Sequence, residues 1–287
     1  MEEDEREGWG RQETSGVNLR PGGGTGSEDR GSECAARDLE WLLFGNHFKL
    51  IRLVFAVLLP AAAYQSPLPT DCSDIYRGGA GVDGVYTIYP AGSTSPVQVY
   101  CDMSQDDIDN SAEKWTVIQR RQDGTVNFFK KWEHYKTGFG SAAGEYWLGL
   151  ETMHLLTQGK NYELKVDMED FEGQKVFAHY SSFSVGPESD GYKLNLGSFI
   201  KGAAGDSLSA HNGMKFTTID NDQDTHPSNC ARVCYGGFWY SACYAANPNA
   251  IYMWGPSTRL TGVHWRTFKG LEYSLKTMVM KIRPAAT

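Results

Sequence analysis

The sequence predicts a β-rich globular domain with few helices and one long irregular region. Short runs of β-branched and aromatic residues outnumber helical patterns along the chain. Residues 202–262 are rich in Asp, Asn, Ser and Gly and show little periodicity. Charged residues make up 22% and aromatic residues 13% of the 287 positions, a composition that can bury a sizeable core and excludes wholesale disorder.

Five short runs rich in β-branched and aromatic residues predict strands, and glycine and proline bound the first two. They are residues 85–89, 97–100, 115–121, 162–166 and 176–185. The third run begins apolar and ends polar, which predicts a strand that leaves the core. Residues 151–156 predict a short helix, because Met153 and Leu156 are three positions apart. The irregular region at 202–262 requires disulfides or metal ions to be ordered.

The N-terminal part of the chain differs in composition from the rest. Residues 1–48 contain eleven acidic residues and five arginines, with few apolar positions, and predict a disordered acidic extension. The net charge of the whole chain is −8, and most of it comes from this extension. An acidic balance argues against a protein that binds nucleic acid through its phosphates.

Residues 49–63 predict a signal peptide. A basic flank containing Lys49 and Arg52 precedes an apolar run that ends in small residues, with cleavage expected after Ala63. The run is shorter than the ~18 to 20 residues that a membrane span needs, so we expect no stable membrane insertion and a secreted, extracellular protein. A signal-anchor with a cytoplasmic tail is the alternative. Residues 64–71 then form a short linker before a domain at 72–287.

The chain has six cysteines, and the first lies in the acidic extension. The remaining five include at least one that is unpaired or intermolecular in an oxidising compartment. By position, Cys72 with Cys101 and Cys230 with Cys243 are the natural brackets, although Cys234 can replace Cys230. No Cys-x-x-Cys spacing occurs, which argues against a structural zinc site.

The stretch Asp-Asn-Asp-Gln-Asp at residues 220–224 is the strongest metal signal in the sequence. Carboxylates at alternate positions, followed by a polar turn, can surround a hard cation with oxygen. The stretch is not an EF-hand, because Thr225 and Ala231 occupy the positions of the required Gly and Glu. A solvated acidic turn is the alternative. A second acidic stretch at residues 106–109 predicts a surface loop.

The motifs that resemble catalytic signatures do not occur in the structural context that those signatures require. Residues 79–84 match Gly-x-Gly-x-x-Gly, but they lead into a predicted strand instead of opening a helix. No Gly-x-Ser-x-Gly occurs, and the histidines share no spacing that indicates a proton relay. We therefore expect no enzymatic activity.

Ten blocks of the chain, in order, resemble the fibrinogen C-terminal-like family. They lie at residues 72–75, 84–88, 99–103, 117–124, 138–140, 144–150, 204–208, 229–231, 238–240 and 281–284. This resemblance implies an α+β fold with a central antiparallel sheet and a loop-rich subdomain for calcium and ligand. It also implies the disulfides Cys72–Cys101 and Cys230–Cys243, which leave Cys234 as the odd thiol.

The resemblance further implies a calcium site. The family's ligands correspond to the carboxylates of Asp222 and Asp224 and to the backbone carbonyl oxygens of His226 and Ser228. With two formal charges and otherwise neutral ligands, we expect Ca²⁺ to bind weakly, with a dissociation constant on the order of 10⁻⁴ to 10⁻³ M.

The family's ligand pocket lies beside this site and commonly includes a cis peptide bond, here between Ala242 and Cys243. Ligand-binding residues implied by the resemblance are Tyr240, Ala242, Cys243, Tyr244 and Arg259. Tyr244 stands where acetyl-binding relatives carry His, and the loop at 256–262 is shorter than usual. These departures weaken the expectation of binding to acetylated sugars, whereas Arg259 favours an anionic ligand.

The resemblance therefore implies a secreted, calcium-dependent recognition protein of the extracellular matrix that binds elastic-fibre or collagen components or glycans. The alternative is a soluble, ficolin-like lectin of innate immunity that recognises microbial or acetylated glycans. The absence of a collagen-like Gly-x-y stalk argues against a true ficolin. Because single-site binding of this kind is weak, we expect a homo-oligomer that gains avidity. Cys234 is either a link between chains or a buried thiol.

Overall fold

The computed structural model describes residues 67–92, 95–103, 114–257 and 261–285. The predicted acidic extension, the signal peptide, residues 64–66 of the linker, the stretch at 106–109 and Arg259 lie outside these ranges. All described residues belong to one compact unit, Ala63–Thr287. Within the described ranges, every helix is too short or too polar to cross a membrane.

The described residues form five short α-helices and fourteen strands. The helices are α1 (Cys72–Arg77), α2 (Trp132–Thr137), α3 (Leu150–Thr157), α4 (Cys230–Val233) and α5 (Arg266–Lys269). The strands are β1 (Gly84–Ile88), β2 (Val97–Asp102), β3 (Trp115–Arg121), β4 (Phe139–Gly140), β5 (Tyr146–Trp147), β6 (Tyr162–Glu169), β7 (Lys175–Val185), β8 (Leu194–Leu196), β9 (Phe199–Lys201), β10 (Ala246–Asn247), β11 (Gly255–Pro256), β12 (His264–Trp265), β13 (Tyr273–Ser274) and β14 (Thr277–Pro284).

The main sheet confirms the predicted central antiparallel sheet. Its strand order is β1-β2-β3-β14-β6-β7-β8, and β5 pairs with β3, β4 with β5 and β9 with β7. Every pair in this sheet is antiparallel. The C-terminal strand β14 lies in the middle, between β3 and β6, so the last residues of the domain hold its two halves together.

The five predicted strands and the predicted helix are confirmed as β1, β2, β3, β6, β7 and α3. The prediction that the polar end of the third strand leaves the core is wrong, because all seven residues of β3 are buried. The polar side chains are tolerated there because they are hydrogen-bonded. Gln119 donates to the carbonyl oxygen of Pro248 at 3.2 Å, and Arg121 donates to the same oxygen at 3.0 Å.

The described part of the region 202–262 is irregular, as predicted, and packs on the sheet through aromatic rings. The ring of Trp239 lies 5.2 Å from that of Phe216 and 6.0 Å from that of Trp147, between ring centroids. Gly237 donates its N–H to the hydroxyl of Tyr135 at 2.9 Å. A Cβ at this position would lie 2.6 Å from the Tyr135 ring, so glycine is required for this close approach.

The first disulfide joins Cys72 of α1 to Cys101 of β2, as the family resemblance implies. Asp71 caps α1 by accepting a hydrogen bond from the backbone N–H of Asp74 at 3.0 Å. The Asp71 carboxylate is buried and also accepts from the hydroxyl of Tyr162 at 2.6 Å. These contacts fix the start of the domain against the sheet.

Candidate calcium and ligand site

The three aspartates of the stretch 220–224 have different surroundings. Asp220 accepts hydrogen bonds from the backbone N–H of Trp132 and the hydroxyl of Thr218, both at 2.8 Å. Helix α2 begins at Trp132 and receives no side-chain cap from Lys131, so Asp220 caps it from a distant part of the chain. Burial works to raise the pKa of Asp220, but these hydrogen bonds outweigh it and lower the pKa. Asp220 therefore has a structural role.

Asp224 and Asp222 form a pair of neighbouring like charges. One oxygen of Asp224 accepts from the backbone N–H of His226 at 3.0 Å, and the other accepts from that of Cys230 at 2.8 Å. Partial burial raises the pKa of Asp224, and the adjacent Asp222 carboxylate raises it further. The two backbone hydrogen bonds oppose this shift without cancelling it. A cation between the carboxylates would relieve their repulsion.

The backbone carbonyl oxygens of this loop also suit a hard cation as ligands. The ring nitrogen Nδ1 of His226 lies 3.0 Å from the backbone nitrogen of Ser228 and 2.9 Å from its carbonyl oxygen. In the tautomer whose Nδ1 accepts the Ser228 N–H, the carbonyl oxygen keeps its lone pairs for another partner. Two carboxylates and backbone carbonyls are an all-oxygen set, which is the chemistry that Ca²⁺ prefers. The residues present fit the predicted ion.

The second disulfide, Cys230–Cys243, joins this loop to the segment that follows Trp239, with the two Cα atoms 5.6 Å apart. The pairing agrees with the one that the resemblance implies. The two sulfurs and a ring nitrogen of His226 lie within 4.8 Å of one another. Because both sulfurs are committed to the disulfide, they cannot act as the thiolates that a zinc site needs.

A buried histidine, His211, hydrogen-bonds to the backbone before and after Cys243. The peptide bond Ala242–Cys243 is cis. The Nδ1 of His211 lies 2.7 Å from the carbonyl oxygen of Trp239, and its Nε2 accepts from the backbone N–H groups of Ala245 and Ala246, both at 3.1 Å. Burial lowers the pKa of His211 to about 4. A neutral imidazole therefore clamps the two ends of the loop together.

The predicted ligand residues differ in how accessible they are in the structure. The prediction that Tyr240 contacts ligand is wrong for its side chain, which is fully buried and donates its hydroxyl to Asn247 Oδ1 at 2.8 Å. Its ring packs in the aromatic core, where the burial of a large apolar group stabilises the fold. Ala242 is exposed and Cys243 half-buried, so they remain accessible. Arg259 lies outside the described residues.

Tyr244 is half-buried and stacks on a histidine that sequence reasoning did not single out. Its ring centroid lies 5.8 Å from that of His264, and its hydroxyl lies 3.0 Å from His264 Nδ1. Burial lowers the pKa of His264 to about 4 and raises that of Tyr244 above its usual range. The Tyr244 hydroxyl is therefore already hydrogen-bonded within the protein, to His264.

Cys234 is the free thiol of the described domain and is 2% exposed. Burial raises its pKa to about 12, and the nearby charge of Asp224 adds to the shift. A buried thiol that stays protonated at neutral pH is a poor nucleophile. Of the two predicted roles, this placement favours the buried thiol over a link between chains.

The polar end of β3 holds residues 248–250, shortly after the predicted ligand residues 242–244, a contribution that sequence reasoning missed. Gln119 donates to Asn249 Oδ1 at 3.2 Å, and Arg121 donates to the carbonyl oxygen of Ala250 at 2.6 Å. The Asn249 side chain in turn donates to the carbonyl oxygen of Gly237 at 2.9 Å. The available signal is the polar end of a strand-like run, which by pattern alone predicts exposure to solvent.

The fold and site define a disulfide-braced recognition domain, and comparisons with known proteins identify its family. The sequence matches the family described as fibrinogen beta and gamma chains, C-terminal globular domain, over residues 68–285. The chain belongs to this family, whose members are recognition proteins without enzymatic activity.

Two curated relatives cover most of the domain. Microfibril-associated glycoprotein 4 of Bos taurus is 50% identical over 224 residues, which are 76% of this chain and 86% of the relative. The human protein of the same name is 50% identical over 223 residues, with the same coverage. Residues 238–243 and 247–249 predict a likeness to fish relatives of this protein. The comparisons confirm the likeness to microfibril-associated glycoprotein 4, and the likeness to its fish relatives stays a prediction.

Solved structures show the same fold. The fibrinogen-like globe domain of human ANGPTL2 superposes with a TM-score of 0.72 at 47% identity and covers 76% of this chain and 100% of its own. A lamprey fibrin D-dimer, complexed with the peptide Gly-His-Arg-Pro-amide, gives a TM-score of 0.71 at 33% identity, covering 76% of this chain and 74% of its own. The fold is a fibrinogen-like globe.

Proposed function

We propose that this protein is a secreted, calcium-dependent recognition protein of the extracellular matrix. The observation that carries the proposal is the pair of neighbouring carboxylates, Asp222 and Asp224, on a loop that a disulfide joins to the segment 242–244, in which Ala242 is exposed. The likeness to microfibril-associated glycoproteins supports a matrix partner, either an elastic-fibre or a collagen component or a glycan.

In this proposal, the carboxylates of Asp222 and Asp224 and the carbonyl oxygens of His226 and Ser228 hold the ion. Calcium supplies two positive charges that offset the repulsion between the carboxylates. Asp224 is bonded to the first residue of α4, Cys230, so its position fixes the start of that helix.

The loop also contacts the ligand segment directly. Thr225 donates its backbone N–H to the carbonyl oxygen of Ser241 at 3.3 Å, and Cys230 is covalently joined to Cys243. Ordering of the calcium loop therefore restricts the segment on both sides of the exposed Ala242. Binding of a partner at Ala242 and Cys243 then depends on calcium, although neither residue is expected to touch the ion.

Binding to surface-immobilised elastin and collagen, in calcium and in chelator, tests the proposal. We expect chelator to reduce binding of the wild-type chain. In calcium, Asp222→Asn should bind as weakly as the wild-type chain does in chelator. Asp220→Asn is the matched control. It also removes one negative charge, two positions before Asp222, but this charge belongs to the carboxylate that caps α2. Equal binding in calcium and chelator would contradict the calcium-dependent function.

A glycan is the second candidate partner. Ala242 is exposed and Tyr244 is half-buried, and an accessible aromatic ring is a group that sugar rings contact. The engagement of the Tyr244 hydroxyl with His264 leaves fewer polar groups for an acetylated sugar. A glycan array read with calcium and with chelator separates the two functions, and strong chelator-sensitive binding to acetylated glycans would favour the lectin.

A further inference from the structure

Strand β1 forms one edge of the main sheet. Within the described ranges, it pairs only with β2, in an unbroken register from Gly84 opposite Cys101 to Ile88 opposite Val97. An edge strand presents a row of backbone donors and acceptors to any strand that can align with it. The composition and geometry of this edge therefore determine what it can bind.

Two hydrogen bonds show which backbone groups of β1 face outward. Tyr100, opposite Val85, donates its N–H to the hydroxyl of Tyr146 at 3.3 Å, away from β1. Residues of an antiparallel pair alternate between bonded and non-bonded positions, so the N–H and C=O of Val85 also point away from β2. Tyr89 confirms this parity, because its N–H donates outward to the carbonyl oxygen of Pro69 at 2.7 Å. Val85 and Thr87 thus direct their backbone groups outward.

This edge lacks the features that usually protect a sheet edge. The five residues of β1 include no charged residue and no proline, and their register with β2 has no bulge. The side chains of Val85 and Thr87 are exposed. Helix α1 contacts β3 and β14 as well as β1, so it packs across a face of the sheet and not along this edge.

We propose that the β1 edge pairs with the same edge of a second copy of this chain. The two strands run antiparallel about a two-fold axis, with Tyr86 opposite Tyr86 of the second copy. Val85 then exchanges backbone hydrogen bonds with Thr87 of the second copy, and Thr87 with Val85, which satisfies both outward-facing residues. Self-complementary contacts of this kind close into a dimer.

The side chains suit this register. Val85 of one copy lies beside Thr87 of the other on the exposed face, and cross-strand pairs of β-branched residues pack well. The bond from Tyr89 to Pro69 limits the free edge to the short stretch before it, so the contact is small and depends on concentration. The interface needs neither the calcium loop nor a matrix partner, and it is independent of the proposed function.

The molar mass of the full secreted chain, measured by sedimentation over a range of concentrations in chelator, tests this interface. Val85→Lys and Thr87→Lys place a charge on the edge, and we expect each to halve the mass of the wild-type species. Ile200→Lys is the matched control, because Ile200 is 50% exposed on β9, and it should keep the wild-type mass. A monomeric wild type, or edge variants with unchanged mass, would overturn the proposal.

Cross-linking gives a second readout that does not require the contact to be lost. The proposed register puts residue 86 of each copy at a non-hydrogen-bonded position, with Cα atoms about 4.5 Å apart, a separation that a disulfide can span. Tyr86→Cys should therefore form a covalent dimer on non-reducing gels. Thr87→Cys faces residue 85 of the second copy and should not. Equal cross-linking of the two variants, or none, would refute the two-fold register.

Discussion

At the residue scale, neighbouring positions of one acidic stretch have separate uses. Asp220 stabilises the start of α2, whereas partial burial and the adjacent Asp222 carboxylate raise the pKa of Asp224, and we propose these last two aspartates as cation ligands. Alternate spacing of carboxylates predicts such a site, but it does not distinguish a capping aspartate from a ligand. Only the position of Trp132, far away in sequence, makes that distinction.

The buried histidines predict how stability depends on pH. The pKa values of His211 and His264 fall from 6.5 to about 4 because burial disfavours the charged imidazolium. The unfolded chain therefore binds more protons than the folded chain between these values, and stability decreases as the pH falls from 6.5 towards 4. Each histidine should cost on the order of 2 kcal/mol by pH 5.

Urea unfolding at a series of pH values checks this expectation. His211→Gln removes one titrating group and should flatten the decrease in stability between pH 6.5 and 5, in addition to any loss at neutral pH. His134→Gln, which changes an exposed histidine of α2, is the control. An unchanged slope in His211→Gln would mean that the imidazole is not held neutral.

At the element scale, β3 joins the sheet to the ligand subdomain. Arg121 is buried beside the buried Glu145, with Nε 3.4 Å from Oε1. Its guanidinium also donates to the carbonyl oxygens of Pro248 and Ala250. Glu145 in turn accepts from four backbone N–H groups of the turn after β3. The end of one strand thus organises two loops.

We expect Arg121→Met to lower the free energy of unfolding by roughly 3 to 5 kcal/mol, because it leaves a buried carboxylate without its cation. Adding Glu145→Gln should recover part of this loss, since the neutral amide oxygen still accepts from the backbone donors. A double-mutant cycle measures the coupling, and strictly additive losses would show that the two side chains do not act as a pair.

The sequence predicted the regular elements better than the site. The strands and α3 follow from local alternation and spacing, which are encoded within each segment. Tyr240 is buried in the hydrophobic core, which its local pattern does not encode. The role of the end of β3 depends on contacts made more than a hundred residues apart, such as Gln119 with Asn249. A polar residue at the end of a strand looks the same whether it faces solvent or a distant loop, so pattern alone could not place it.

At the scale of the whole molecule, two disulfides brace the domain at separate places. Cys72–Cys101 fixes α1 to the sheet, whereas Cys230–Cys243 joins the acidic loop before α4 to the segment 242–244. The resemblance to the family implied both pairings, although spacing alone left Cys234 open as a partner. In the structure Cys234 is buried and unpaired.

The two disulfides should therefore differ in their effect on calcium binding. Replacing Cys230 and Cys243 by Ser should cost about 3 kcal/mol of stability from loop entropy and abolish the increase in melting temperature that calcium produces. Replacing Cys72 and Cys101 should destabilise the domain by a similar amount but keep that increase. Thermal melts in calcium and in chelator check both, and an equal calcium response in the two variants would contradict the coupling.

Calorimetric titration of the full chain with Ca²⁺ measures whether the loop that contains Asp222 and Asp224 binds the ion. We expect one site per chain with a dissociation constant on the order of 10⁻⁴ to 10⁻³ M. That site should be lost in Asp222→Asn and retained in Asp220→Asn. Binding that survives Asp222→Asn, or no binding to the wild-type chain at about 10 mM Ca²⁺, would contradict the account.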